Sequence, residues 1–145
     1  VGDGEVLHCQ ITADLSMLRR RIEAFAAAAG LAAERLDDLV LAVNEAADNV
    51  LEHGAGSGRI VARADSSSVW VEIIDPAGTL SEGHLYRHGD GLPPAALRGY
   101  GLWMMRRLCD RVVLDHPDGH ARLRLYMRYQ PSTPSVPPRS RKAES

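Results

Sequence analysis

The stretch RIVARADSSSVWVEIID, residues 59–75, contains two runs that alternate apolar and polar side chains on either side of three serines. Alternation with a period of two marks a strand that turns one face to a core and the other to water. A three-residue link cannot hold a crossover helix, so the two strands must form an antiparallel hairpin. A doubly wound parallel sheet needs a helix between successive strands, and this stretch excludes one here.

Moving upstream from the hairpin, apolar residues recur at helical spacing from Ala33 through Leu36, Leu39, Val40, Val43, Ala47, Val50 and Leu51 to Gly54. At ~1.5 Å per residue this predicts a helix about 30 Å long. An earlier helix, LSMLRRRIEAFAAAAG, places Leu15, Leu18, Ile22, Phe25 and Ala26 on one face. Asp14 or Ser16 can cap its start and Gly30 ends it. Before it, EVLHCQIT (residues 5–12) alternates as a strand does.

Downstream, residues 76–98 lose all periodicity among glycines, prolines and histidines, a length that in a compact domain usually serves function. GYGLWMMRRLCDR then predicts a helix with Leu102, Met105, Leu108 and Cys109 on one face. VVLDHPDGHARLRLYMRY predicts two strands around a Pro-Asp-Gly turn. Residues 130–145, rich in proline, serine and basic groups, are expected to be a disordered tail. The order β-α-α-β-β-loop-α-β-β gives one α+β domain over residues 5–129. Its architecture is a two-layer sandwich with helices on one face of a mainly antiparallel mixed sheet.

The 145 residues are 45% hydrophobic and 25% charged, with a formal net charge of −2. That suits a single core and lacks the basic excess of a nucleic-acid binder, so no direct nucleic-acid contact is expected. No apolar run is long enough to span a membrane. Cys9 and Cys109 fit no metal-ligand spacing and read as small buried hydrophobes in a reducing, cytoplasmic compartment. Trp70 and Trp103 read as core or dimer-interface aromatics.

Three places carry chemistry. Glu45 and Asn49 stand one helical turn apart, with Asp38 and Leu41 on neighbouring faces and His53 a turn further on. A carboxylate can orient a nucleophile, and a carboxamide oxygen is a hard neutral ligand suited to Mg²⁺ beside phosphates. Asp75 ends a strand before Pro-Ala-Gly, where an acceptor-only carboxylate suits an exocyclic amine and Gly78 admits a flat ring. Arg98, Gly99 and Gly101 lie where the long loop meets the next helix, so free N–H groups and a guanidinium can face an anion.

Together these motifs, NEAADNVLEHG, DPAG and GYGLWMM, resemble the N box and the two glycine boxes of the Bergerat-fold, histidine-kinase-like ATP-binding domains. In size and in these runs the chain is most similar to bacterial anti-sigma-factor serine/threonine kinases. The resemblance implies ATP and Mg²⁺ as cofactors, with Glu45 as catalytic base and Asn49 as Mg²⁺ ligand. It further implies Asp75 and Gly78 at adenine, Arg98, Gly99 and Gly101 at the phosphates, and residues 79–98 as an ATP lid. Ala77 and Thr79 stand where the first glycine box usually has its glycines, and His120 follows Gly119 in the late turn. The implied function is phosphorylation of a serine or threonine on an anti-anti-sigma protein and sequestration of a sigma factor, by a homodimer. Two alternatives are a nucleotide-gated binding module without turnover and the ATP-binding fragment of a larger sensor kinase.

Overall fold

The computed structural model describes residues 6–53, 57–76 and 101–129. The anticipated lid, Gly78, Arg98, Gly99 and the tail lie outside the described residues. The elements follow the expected order: β1 (Val6–Ile11), α1 (Leu15–Ala29), α2 (Ala33–His53), β2 (Gly58–Ala64), β3 (Ser68–Asp75), α3 (Gly101–Leu108), β4 (Arg111–Asp115) and β5 (Ala121–Arg128). The strands form one sheet in the order β1-β2-β3-β5-β4. Every pairing among the described strands is antiparallel, so the sheet has no parallel pair there.

Local chemistry sets the element ends. The Asp14 carboxylate accepts a hydrogen bond from the Met17 N–H at 3.1 Å and caps α1, while Ser16 donates to Asp14. Gly30 closes α1 with φ of 122°, its N–H reaching the carbonyls of Ala26 and Ala27. The Asp65 carboxylate accepts from the N–H groups of Ser67 and Ser68, tying the β2–β3 turn. Between β4 and β5, Asp118 and Gly119 both adopt positive φ in a tight Pro-Asp-Gly turn.

The helices cover one face of the sheet. Ile60 and Ala62 on β2, Val69, Val71 and Ile73 on β3, and Leu123 and Leu125 on β5 turn inward and are fully buried. They meet Leu18 and Ile22 of α1 and Leu39, Val43 and Val50 of α2. Truncating one such aliphatic side chain to alanine costs about 2–5 kcal/mol. Ala42, Ala46 and Ala47 are fully buried along α2, where small side chains let the helix lie close to the strands. Both cysteines are free and buried, as expected. Trp70 is half-buried and stands on the open side of the sheet, away from the helix layer, because its strand position has the opposite parity to Val69 and Val71.

Candidate functional site

Helix α2 has two polar flanks, and its neighbours identify each. Asn44 accepts a hydrogen bond from Arg19 of α1 at 2.8 Å. Asp37, Val40 and Leu41 line a hollow with Arg19 and Glu23, so this flank faces α1. On the other side, Arg35 donates to the Arg128 carbonyl at 2.8 Å and pairs with Asp110, just beyond α3. Asp38 raises the pKa of the Cys109 thiol, which places it beside the end of α3. At 3.6 residues per turn, Glu45 lies two turns above Asp38 and Asn49 three turns above it on the same stripe. Glu45 and Asn49 therefore belong to the flank facing α3. Leu41 does not join them and is 48% exposed on the α1 side.

The direction of α3 follows from the same clasp. Its last turn is held at the start of α2 through Asp110 and Arg35, yet α3 packs along α2. It must therefore run antiparallel to α2. Gly101, seven residues before Leu108 and about 10 Å away at helical rise, is carried toward the turn of α2 that bears Glu45.

Asp75 reaches the same end of the molecule from below. It closes β3 opposite Ala121, the first residue of β5, and is fully buried. Its parity is that of Val69, Val71 and Ile73, so the carboxylate points to the helix layer. The level is fixed by Gly58, the first residue of β2. A Cβ there would lie 2.6 Å from the Ile74 carbonyl and 3.1 Å from a Val50 methyl. The last turns of α2 therefore press on the end of the sheet where β3 terminates.

The polar groups at this end are unusual for a helix interior. Asn49 is only 3% exposed, and its side-chain Nδ2 is buried without a hydrogen-bond partner. An orphaned buried donor costs about 1–3 kcal/mol, and native structures retain few of them. Glu45 is half-buried one turn earlier, and a fully buried carboxylate such as Asp75 is rare. At the opposite end of this flank, three turns away beside the last turn of α3, burial shapes the ionisable groups as well. Burial, then Glu34 and Asp37, push the Asp38 carboxyl above its usual range. Burial, Asp110 and Asp38 push the Cys109 thiol up to about 12. Among the described residues no cluster of three or more His, Cys, Asp or Glu forms a metal cage. A metal resting on phosphate oxygens and a single amide needs none.

Of the residues singled out in the sequence, Glu45, Asn49, Asp75 and Gly101 thus come to one end of the domain. Gly78, Arg98 and Gly99 lie outside the described residues. The sequence reading missed Arg35, which ties α2 to α3 and β5 and so sets the spacing of the site. Its only signal was a lone arginine in the first turn of an acidic helix start.

A family model for the histidine kinase-like ATPase domain matches residues 11–128 of the chain. Among solved structures, the chain is similar to the RsbU and RsbW domains of Rv1364c from Mycobacterium tuberculosis, with a TM-score of 0.63 and 20% identity. The likeness covers 86% of this chain and 32% of that one, and at this identity it bears on the fold alone. No curated protein matches the chain. Among the described residues, no helix is long and apolar enough to cross a membrane.

Proposed function

The chain belongs to the histidine kinase-like ATPase domain family, and from that premise we propose that it binds ATP with Mg²⁺ between α2, α3 and the end of β3 and phosphorylates a serine or threonine of a protein partner. The observation that carries this reading is the Asn49 amide, buried to 3% exposure with an unpaired Nδ2. That donor has an acceptor once a phosphate oxygen enters, and its paired carbonyl oxygen is the hard neutral ligand that a magnesium-nucleotide needs. Mg²⁺, when bound, would neutralise charge on the phosphate oxygens.

The remaining assignments follow the chemistry of each group. Asp75 accepts a hydrogen bond from the exocyclic amine of adenine, and Gly78 lets the ring approach the backbone. Glu45 orients and accepts the proton of the incoming hydroxyl. Gly101, Gly99 and Arg98 offer N–H and guanidinium donors to the phosphates where α3 begins. Phosphoryl transfer depends chiefly on positioning and electrostatics, so this short set of groups suffices. The resemblance to anti-sigma-factor kinases supports a homodimer in the cytoplasm whose partners are an anti-anti-sigma protein and a sigma factor.

Calorimetric titration with ATP and Mg²⁺ tests the pocket. Binding should be Mg-dependent and weaken in Asn49→Ala and Asp75→Asn; unchanged affinity in both would misplace the site. Incubation with labelled ATP and a serine-bearing partner tests turnover. Loss of transfer in Glu45→Ala, with nucleotide binding kept, supports the kinase. Binding without transfer in the wild type would leave a nucleotide-gated module instead.

A further inference from the structure

The sheet face opposite the helices has a charge character that the whole-chain total hides. Its outward positions carry Arg59 and Arg63 on β2, Arg111 on β4, and Arg122, Arg124 and Arg128 on β5. At strand positions Glu72 and Asp115 stand against these six, and Asp110 lies at the edge of the face, lining a hollow with Arg111, Tyr126 and Arg128. The chain as a whole is at −2, so positive charge is concentrated on this face. Asp115 is already engaged, holding Arg122 through two hydrogen bonds of 2.8 and 3.0 Å with Arg124 at 3.5 Å. The Nε of Arg124 is buried with no acceptor. Arg59 and Arg63 are exposed, and among the described residues no element covers them.

A cross-strand row runs through the middle of this face. Arg63, Trp70, Tyr126 and Arg111 stand side by side in register on β2, β3, β5 and β4. Trp70 and Tyr126 stack at 5.9 Å between centroids, and the Arg111 guanidinium lies 5.2 Å over the Tyr126 ring. Arginine, tyrosine and tryptophan side by side are the composition of protein interface hot spots.

We propose that this open face docks an acidic segment of a partner protein, whose carboxylates pair with the β2 guanidinium groups beside the Trp70–Tyr126 stack. The site is on the far side of the sheet from α2, so the proposal does not rest on the nucleotide reading. Charge complementarity favours this occupant over a second copy, because a two-fold contact would set arginines against arginines. The stack also disfavours nucleic acid. Trp70 on β3 and Arg111 on β4 flank Tyr126 from opposite sides, which leaves its ring faces unavailable to bases.

Fluorescence anisotropy with labelled poly-L-glutamate tests the proposal. The full chain should bind, and Arg59→Glu with Arg63→Glu should weaken binding by about tenfold or more, with strong salt dependence. Arg59→Lys with Arg63→Lys, and the same charge reversal on α1 (Arg20→Glu with Arg21→Glu), should stay within about threefold of wild type. Circular dichroism checks each fold, and Arg59→Ala with Arg63→Ala replaces the reversal if that variant does not fold. Absent binding, or equal loss in the α1 variant, overturns the proposal. Preference for an oligothymidylate over poly-L-glutamate overturns it in favour of nucleic acid. A sedimenting dimer that Arg59→Glu with Arg63→Glu dissociates overturns it in favour of a second copy.

Discussion

On the flank of α2 that faces α1, Asn44 has its partner in Arg19, and the nearby Leu41 and Asp37 are open to water. On the flank that faces α3, Asn49 is buried without a partner for its amide nitrogen, in line with Glu45 one turn before it. The same residue type, five positions apart on one helix, meets two different physical situations. Asn44 satisfies itself within the fold, at the modest gain of a solvated hydrogen bond. Asn49 leaves a cost outstanding that an added ligand can remove. Buried, unsatisfied polarity therefore separates a poised side chain from surface decoration, and residue type alone does not.

The contrast is broken most directly by substituting each amide. Asn49→Ala should lower ATP-Mg²⁺ affinity by about a hundredfold, whereas Asn44→Ala should change it by less than about twofold, both read by calorimetry. Equal effects would dissolve the distinction between the flanks. A second arm uses the free protein. Asn49→Leu removes the orphaned donor while keeping the same number and branching of side-chain heavy atoms, so thermal unfolding without nucleotide should occur at the wild-type temperature or above it. The same variant should lose the stabilisation that ATP gives the wild type.

Next in size is the platform beneath the α3 flank. Gly58→Ala places a methyl 2.6 Å from the Ile74 carbonyl and against Val50, neither of which is a free side-chain end. A loss of about 1–3 kcal/mol in denaturant unfolding is expected, with weakened nucleotide binding because Val50 adjoins Asn49. Arg35→Ala should cost somewhat less, about 1–2 kcal/mol, by releasing Asp110 and the Arg128 carbonyl. Its signature is a loss of ATP affinity without any change in a residue proposed to touch ATP. The α1-facing counterpart, Arg19→Ala, should leave binding unchanged.

Much of this arrangement was legible in the sequence, and the reasons are specific. The period-two runs on either side of the serines at 66–68 decided the hairpin, and Leu39, Val43, Ala47 and Val50 decided the buried stripe of α2. Asp14, Gly30 and the Pro-Asp-Gly turn marked element ends because capping and positive φ depend on local chemistry alone. The side of α2 on which Glu45 and Asn49 lie was not legible, since it depends on Arg35 meeting Asp110 across 75 residues of chain. The arginines of the open face were equally hidden. They are scattered through β2, β4 and β5 and converge only through strand register, while acidic residues elsewhere cancel them in the net charge.

The smallest effect sharpens the comparison through pH. The Asp38 carboxyl, beside α3, is pushed up by burial and then by Glu34 and Asp37. Asp115, on the open face, is held below the usual range first by hydrogen bonds from Arg122. Their contributions to stability have opposite signs. A carboxyl with a depressed folded pKa stabilises above its unfolded value, about 4, and that contribution is lost as pH falls through the folded value. One with a raised folded pKa stabilises below its unfolded value and loses that contribution as pH rises through the folded value. Asp115→Asn should therefore lower the melting temperature at neutral pH and converge on wild type in acid. Asp38→Asn should raise it slightly at neutral pH and also converge on wild type in acid. If the two curves shift in the same direction at neutral pH, the stripe beside α3 is as well solvated as the open face. That outcome would remove the contrast between Asp38 and Asp115, whereas the burial of Asn49, three turns further along α2, rests on its own 3% exposure.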